Sequence, residues 1–287
     1  MKKILLLILG LITSVTCYSI TLDNVKFYNE TTDTTKITQI LNDAIDKNFT
    51  TPNERIGYIA RLFLGCPYVA HTLEGDQESL IVNIDQLDCT TFVETVIAMA
   101  YTIGEGRTSW RDYIHNLERI RYRNGKLNGY TSRLHYISDW IINNSHRGNI
   151  TEVTNEFPGV SYNIKTIDFM TSHRESYKSL SDDSEFEKMK NIEIGYHNHK
   201  FPYIKSSKVK NKDISTKLMD GDIIALTTHT KGLDVSHMGL IAIINGTPHL
   251  MHASMKAMKV IIDPLPLHKY LNNSKSLTGI RVIRLNH

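Results

Sequence analysis

The chain has 287 residues, of which 41% are hydrophobic and 22% are charged. This composition is ordinary for a globular protein, and the length is sufficient for one large domain with a sizeable core. The formal net charge is +3, and it falls to about +1 when Lys2 and Lys3 are removed with a leader. This near balance gives no reason to expect a nucleic acid as a partner. No apolar run after the first residues is long enough to span a membrane.

Residues 1–19 have the three-part pattern of a secretory signal peptide. A basic start at 1–3 is followed by an apolar run at 4–12 and by a small, polar region at 13–19. We therefore expect residues 20–287 to form a single exported domain, located in a periplasm. Cys17 could carry a lipid anchor, but Ser14-Val15-Thr16 before it matches the usual small-residue signal poorly, so anchoring is the less favoured alternative.

Apolar residues at helical spacing predict that the first part of the mature chain is mainly helical. One stripe runs over 37–45, and Pro52 opens a second helix that Gly65-Cys66-Pro67 ends. A loop with a short extended piece at 80–83 precedes a helix over 89–103. The polar segment 105–200 carries helical patches at 110–120 and 134–142. We interpret this segment as an insertion that decorates the core and forms a wall of the substrate site.

Short apolar segments near the C-terminus predict strands at 222–227, 236–244, 250–254, 260–262 and 280–284. The tight turns between them favour an antiparallel sheet or a partly closed barrel. Helices come first along the chain and the sheet comes last, which indicates an α+β fold.

Cys89 is the candidate nucleophile. Asp88 is a good N-cap, so Cys89 would lie in the first turn of its helix, where the helix dipole favours the thiolate. The alternative is that Cys89 is a small buried hydrophobic residue, or that it pairs with Cys66 in a disulfide.

Two histidines lie on consecutive predicted strands and could supply a base. Asn245-Gly246 is the strongest short signal for a two-residue hairpin turn. With that turn, Gly239 faces His252, and His237 becomes a diagonal neighbour of His252 on one face of the hairpin. The diagonal Cα separation of about 7–8 Å is within reach of two imidazole rings.

Pro248 argues against this turn, because it lacks the amide hydrogen that a strand ladder needs. A four-residue turn over 245–248 would place His252 opposite Ile241, too far from His237 without a bulge. Either histidine could instead be a structural residue whose ring nitrogens are hydrogen-bonded within the fold. A cysteine nucleophile nevertheless needs a base and a group that orients the base. His237 follows Cys89 by 148 residues, an order and spacing similar to those of papain-like enzymes.

The motifs of this chain resemble those of NlpC-type cell-wall cysteine peptidases and amidases. The resemblance is closest to the N-acetylmuramoyl-L-alanine amidase-like family of bacterial exported proteins, and it extends over roughly residues 50–285. The stretches that carry it are Gly65-Cys66-Pro67-Tyr68, Val69-Ala70-His71-Thr72-Leu73-Glu74, Asp88-Cys89-Thr90-Thr91-Phe92-Val93-Glu94, Arg133 to Trp140, Asp220-Gly221-Asp222, Ser236-His237-Met238-Gly239, His252-Ala253-Ser254 and Gly279-Ile280-Arg281-Val282.

The resemblance implies a papain-like, NlpC-type fold, with Cys89 as the nucleophile, His237 as the base and His252 as the third polar residue. It implies hydrolysis of the amide between N-acetylmuramic acid and L-alanine, with a preference for anhydro-muropeptide fragments from wall turnover. Cys66 departs from the small or hydroxyl residue expected at its position, which would permit an inactivating Cys66–Cys89 disulfide.

Further residues are expected to bind the substrate. The backbone N–H of Cys89 and the phenol of Tyr68 are candidate oxyanion donors. Aromatic faces suit a sugar and arginine suits a carboxylate. The predicted substrate-binding residues are Tyr68, Asp88, Thr90, Arg133, Tyr136, Asp139 and Trp140.

No metal or other cofactor is expected, although the chain has 13 histidines, including His197 and His199, and a zinc hydrolase therefore stays open. The sequence is also compatible with a stem-peptide endopeptidase and with a non-catalytic muropeptide-binding module. The expected partners are peptidoglycan fragments. No stable protein partner is expected, and the protein is predicted to be a monomer.

Overall fold

The computed structural model describes residues 24–286, so the predicted signal peptide and Cys17 lie outside the described residues. No helix within 24–286 is long and apolar enough to cross a membrane. The helices are α1 (Glu30–Ile45), α2 (Pro52–Leu62), α3 (Cys89–Gly104), α4 (Trp110–Arg121), α5 (Ile137–His146), α6 (Phe169–Ser172), α7 (Asp183–Ile194), α8 (Lys212–Ser215) and α9 (Leu267–Asn272). The strands are β1 (Val25–Phe27), β2 (Leu80–Val82), β3 (Ile150–Glu152), β4 (Ser161–Lys165), β5 (His199–Lys205), β6 (Ile223–Thr228), β7 (Val235–Ile244), β8 (Thr247–Ser254), β9 (Lys259–Pro266) and β10 (Leu277–Leu285).

Helix α3 is the centre of the helical half. Its residues from Thr91 to Ile103 are buried, as expected for a helix that is apolar on every side. Helices α1, α2 and α4 pack against α3, and α3 also contacts strands β7 and β8. Because α3 begins at Cys89, this packing fixes the cysteine against the sheet.

The main sheet is antiparallel and has the order β4-β5-β10-β6-β7-β8-β9, with β3 paired to β10. Strands β1 and β2 form a separate parallel pair. All five strands predicted near the C-terminus are present. The predicted α+β arrangement, with N-terminal helices packed on a C-terminal antiparallel sheet, is therefore confirmed.

The turn between β7 and β8 consists of the two residues Asn245 and Gly246. Both have positive φ, 48° and 75°, as the tight hairpin turn requires. Ile244 pairs with Thr247, and Pro248 is accommodated opposite Ile243. The two-residue turn is confirmed, and the four-residue alternative is wrong.

The segment 105–200 is more integrated than predicted. Helices α4 and α5 contribute Tyr113, Leu117 and Trp140 to the main hydrophobic core. Strands β4 and β5 extend the main sheet. Around α6 and α7, a smaller core forms from residues such as Ile167 and Met189. The apolar residues of this segment therefore help to build the core, so the segment does more than decorate it.

Candidate active site

Cys89 is the first residue of α3, and a reciprocal capping box fixes its position. The Asp88 carboxylate accepts from the Thr91 backbone N–H at 2.8 Å, and the Thr91 hydroxyl oxygen accepts from the Asp88 N–H at 2.8 Å. Two amide hydrogens that the helix leaves unpaired are thereby satisfied. The predicted helix start and N-cap are confirmed, and the Cys89 N–H belongs to the first helical turn.

The β7–β8 hairpin brings His237 and His252 together. His237 Nε2 lies 2.6 Å from His252 Nδ1, and the two rings are perpendicular. The register continues from Leu240 opposite Met251, so Gly239 comes opposite His252. A Cβ at Gly239 would lie 2.8 Å from the Met251 carbonyl oxygen and 3.1 Å from His252 Cβ. Glycine is therefore needed for the two strands and the histidine to approach this closely.

The Cys89 thiol lies against strand β7 at Met238, the residue that follows His237. The Met238 backbone N–H and the Thr90 hydroxyl interact with the sulfur, and the Thr90 Oγ1 lies 3.9 Å from it. Both contacts lower the thiol pKa, but burial and the charge of Asp88 raise it more, to about 11. Burial and the Asp88 charge therefore oppose the preference for a thiolate that the helix dipole was expected to give.

Burial also keeps the two histidines neutral. It lowers the pKa of His237 to about 4, against the opposing charge of Asp88. It lowers the pKa of His252 to about 3, and the proximity of His237 adds to the decrease. The resting site therefore holds a neutral thiol and two neutral imidazoles.

Cys66 and Cys89 are both free thiols, so the alternative of a disulfide between them is not realised here. Burial raises the pKa of the Cys66 thiol to about 11 as well. The Cys66 sulfur lies 3.7 Å from the Ile84 carbonyl oxygen, on the side of the helical core.

Two tyrosines and an aspartate surround the cysteine–histidine group. Burial and the charges of Cys89 and Asp88 raise the pKa of Tyr68, which is one of the predicted substrate-binding residues. The Tyr270 ring packs edge-on against the His252 ring at 5.5 Å. Asp263 Oδ2 lies 3.9 Å from His252 Nε2. Sequence reasoning missed Tyr270 and Asp263, because neither belongs to a motif that marks a site.

A small cavity of about 140 Å³ opens beside the nucleophile. Its walls are unusually rich in charged and imidazole groups. It is lined by His71, Leu73, Glu74, Asp88, Thr90, Glu94, Arg121, Arg133, Leu134 and His135. Asp88, Thr90 and Arg133 are therefore brought to one cavity next to Cys89, as the sequence analysis expected of substrate-binding residues.

Ion pairs organise the cavity wall. Arg121 Nε lies 2.6 Å from Glu94 Oε2, and both side chains are only 3% exposed. Arg133 pairs with Glu74 at 2.9 Å and with Glu78 at 3.2 Å. The cavity wall therefore carries arginine–glutamate ion pairs rather than side chains of a single charge sign.

Two imidazoles of the cavity wall, His71 and His135, were not among the predicted site residues. Burial holds the pKa of His135 well below its ordinary value, so this ring is neutral. His71 is exposed and has a positive φ of 62°, a backbone conformation that a non-glycine residue rarely adopts. His71 and Glu74 lie in the stretch 69–74 that carries part of the family resemblance, and this signal could have identified them.

Three predicted substrate-binding residues lie in the interior instead. Trp140 is fully buried in the main core. The Tyr136 hydroxyl donates to Glu193 and accepts from the Met170 N–H. Asp139 is only 2% exposed and is paired with Arg123. The prediction that Tyr136, Asp139 and Trp140 contact the substrate is therefore corrected: the polar groups of Tyr136 and Asp139 bind other buried side chains, and the Trp140 ring fills the core.

Among residues 24–286, no group of three or more His, Cys, Asp or Glu side chains is placed to hold a metal ion. The His197–Asn198–His199 stretch leads into strand β5, which lies between β4 and β10 in the main sheet.

The chain is similar in sequence and structure to several proteins of known structure. An N-acetylmuramoyl-L-alanine amidase from Bacteroides uniformis is 38% identical, with a TM-score of 0.77, over 82% of this chain and 99% of the other. A Bacteroides fragilis protein named as a candidate xylanase is 43% identical, with a TM-score of 0.74, over 79% of this chain and 99% of the other. A Legionella pneumophila protein shares the fold at 23% identity, with a TM-score of 0.69, over 90% of this chain and 96% of the other.

The comparison with curated proteins found no match. The family model for N-acetylmuramoyl-L-alanine amidase-like proteins matches residues 58–280. That range contains the Cys89 helix, the histidine hairpin and the cavity beside the start of that helix. The chain belongs to the N-acetylmuramoyl-L-alanine amidase-like family.

Proposed function

We propose that this protein is a cysteine amidase that cleaves the amide between N-acetylmuramic acid, in its 1,6-anhydro form, and L-alanine in peptidoglycan fragments. The observation that carries the proposal is the 2.6 Å contact between His237 Nε2 on β7 and His252 Nδ1 on β8. Strand β7 also contacts the Cys89 sulfur, through the Met238 backbone. The cellular role would be the turnover or recycling of wall fragments by an exported, periplasmic monomer. Family membership supports the substrate class.

The contact between the histidines decides which nitrogen of His237 acts as the base. Because His237 Nε2 is engaged with His252, Nδ1 is the nitrogen left to accept the thiol proton. As that proton moves to Nδ1, the Cys89 sulfur attacks the carbonyl carbon of the lactyl group. The carbonyl electrons move onto its oxygen and give a tetrahedral oxyanion.

The amide bond breaks when His237 returns the proton. His237 Nδ1 gives the proton to the nitrogen of L-alanine, and the peptide leaves as a neutral amine. The muramoyl group stays on Cys89 as a thioester. His237 then takes a proton from water, the resulting hydroxide attacks the thioester, and the carboxylic acid of the sugar leaves as Cys89 regains its proton.

The raised thiol pKa of about 11 and the lowered His237 pKa of about 4 constrain the order of these events. A stable thiolate–imidazolium pair is disfavoured in the empty site. Proton transfer is therefore coupled to the attack, when charge moves from the sulfur onto the carbonyl oxygen. The Cys89 N–H and the Tyr68 phenol are the proposed donors to that oxygen.

The cavity beside Cys89 would hold the groups nearest to the scissile amide. A larger cleft of about 570 Å³ is bordered by residues 75–78 and 127–130. Residue 75 directly follows Glu74 of the cavity lining, and residue 130 is separated from Arg133 of that lining by two residues. The two spaces thus follow the same two chain segments. This arrangement supports a substrate that is longer than one sugar or one amino acid.

The test is to incubate the wild type and Cys89→Ala with anhydro-muropeptide and to identify the products by mass. Free anhydro-sugar and an intact stem peptide are expected from the wild type, and no product from Cys89→Ala. Cys66→Ala is the matched control, because it removes the other free thiol of the described chain, and it is expected to remain active. Hydrolysis by Cys89→Ala would refute the cysteine mechanism.

The same products separate the amidase from the competing functions. Cleavage inside the stem would identify an endopeptidase, and the absence of any product from the wild type would favour a binding module. Full activity in a chelator would exclude a zinc hydrolase. A xylanase, the activity for which the Bacteroides fragilis relative is named, needs a pair of catalytic carboxylates. The carboxylates of the cavity wall are instead largely engaged by arginine, as Glu94 is by Arg121.

A further inference from the structure

The second ring nitrogen of His252, Nε2, is buried and lacks a hydrogen-bond partner among residues 24–286. His252 is 3% exposed, and its Nε2 atom is buried without a partner among the described residues. The Tyr270 ring packs edge-on against the imidazole. The nearest carboxylate is that of Asp263 on β9, with Oδ2 at 3.9 Å. A buried N–H without a hydrogen-bond partner destabilises a fold, so its position requires an explanation.

The proposed mechanism determines which tautomer His252 must adopt. His237 Nδ1 must be unprotonated to accept the thiol proton, so the ring proton of neutral His237 is on Nε2. That N–H donates to His252 Nδ1 across the 2.6 Å contact. His252 Nδ1 is then an acceptor, and the His252 proton is on Nε2, the atom that faces Asp263.

We propose that Asp263 is a positioning residue that accepts from His252 Nε2–H and so sets the tautomers of both histidines. This inference rests on the proposed function. In this series of hydrogen bonds, Cys89 donates to His237, His237 donates to His252, and His252 donates to Asp263. The distance of 3.9 Å shortens by about 1 Å when substrate closes the site, as hydrogen bonds of catalytic groups commonly do.

The backbone around Asp263 is built to hold the carboxylate in place. Asp263 Oδ1 accepts from the Leu265 N–H at 2.9 Å, which leaves Oδ2 on the side of His252. The Asp263 carbonyl oxygen lies 2.9 Å from His249 Nδ1. These contacts fix both the strand and the side chain, so the carboxylate is already held on the side of His252.

Two substitutions distinguish this role from a merely structural one. Asp263→Asn keeps the shape and the bond to Leu265, but it turns an amide NH₂ toward His252 Nε2. Nε2 then becomes the acceptor, His252 Nδ1 carries the proton, and the ring proton of His237 moves to Nδ1. That nitrogen can no longer accept the thiol proton. Asp263→Ala removes the acceptor without imposing the wrong tautomer.

We therefore expect the order of kcat to be wild type, then Asp263→Ala, then Asp263→Asn. The loss for Asp263→Asn should exceed about 10-fold, with little change in KM. The corresponding change in the Ser-His-Asp triad costs about 10⁴-fold. A structural role would give the reverse order, because asparagine preserves more contacts than alanine does. Asp43→Ala, at an exposed position of α1, is the control and should behave as the wild type.

The second measurement is the ¹⁵N NMR spectrum of the histidine rings, which does not depend on the substrate. The wild type should show His252 protonated at Nε2, and Asp263→Asn should show it protonated at Nδ1. Urea unfolding of each variant verifies that it is folded. An unchanged His252 tautomer in folded Asp263→Asn would overturn the inference, even if the amidase activity is established. The predicted tautomer change would support it, even if the substrate proves to be different.

Discussion

Acid should destabilise this protein through two buried histidines, His237 and His252. Burial lowers the pKa of folded His237 to about 4 and that of folded His252 to about 3, compared with about 6.5 in an unfolded chain. At pH 7 both rings are neutral in both states, so they contribute no pH-dependent cost. Below pH 6.5 the unfolded chain binds protons that the folded protein excludes, so the free energy of unfolding decreases as the pH falls.

The magnitude follows from the two pKa values. Each excluded proton costs about 1.4 kcal/mol per pH unit below 6.5, until the folded pKa is reached. Between pH 7 and pH 5, each histidine should therefore reduce the free energy of unfolding by about 2 kcal/mol. Carboxylates and other histidines also titrate over this range. For this reason the informative quantity is the pH-dependent decrease in unfolding free energy of the wild type compared with that of a variant that lacks one histidine ring.

The variant is His252→Asn, and the assay is urea unfolding at pH 7 and pH 5, followed by tryptophan fluorescence. The decrease in unfolding free energy between the two pH values should be smaller by about 2 kcal/mol in His252→Asn than in the wild type. His115→Asn, which removes an exposed histidine of α4, is the control and should keep the wild-type decrease. Equal decreases for His252→Asn and the wild type would refute the claim that burial keeps this ring neutral.

Two further predictions concern charges near the cysteine. Glu94→Gln leaves the guanidinium of Arg121 buried without its partner, and it should lower the free energy of unfolding in urea by about 3–5 kcal/mol. A loss below about 1 kcal/mol would contradict the assigned ion pair. Asp88→Asn retains a good N-cap but removes the negative charge that raises the thiol pKa of Cys89. The pH dependence of Cys89 alkylation should therefore shift to lower pH, and an unchanged profile would contradict this electrostatic role.

The parts of the fold that the sequence predicted are those governed by local signals. The Asp88 cap, the apolar face of α3 and the Asn245-Gly246 turn each depend on residues close together in the chain. The hairpin turn then determines the register, and the register places His237 beside His252. One local signal was therefore sufficient to predict a contact between residues that are 15 positions apart.

The substrate wall could not be predicted in the same way, because it depends on which face of α5 meets the core. Tyr136, Asp139 and Trp140 are residue types that bind sugars and carboxylates, but the same types also satisfy buried hydrogen bonds and fill cores. Their partners, such as Glu193 and Arg123, are distant in sequence. The proximity of Asp263 on β9 to His252 was missed for a related reason: β8 and β9 shift register between His249 and Met251.

The structure also explains why Cys89, rather than Cys66, is suited to be the nucleophile. Burial raises the pKa of both thiols to about 11, so the pKa values alone do not distinguish them. The groups that surround each sulfur do distinguish the two thiols. The Cys66 sulfur faces the carbonyl oxygens of Pro67 and Ile84, which would repel a thiolate. The Cys89 sulfur interacts with the Met238 N–H and the Thr90 hydroxyl, which stabilise negative charge on sulfur as the proton leaves. In the proposed mechanism, the reactivity of Cys89 therefore arises from these donors and from the neutral His237 on the same strand as Met238, and not from a thiolate that exists before substrate binds.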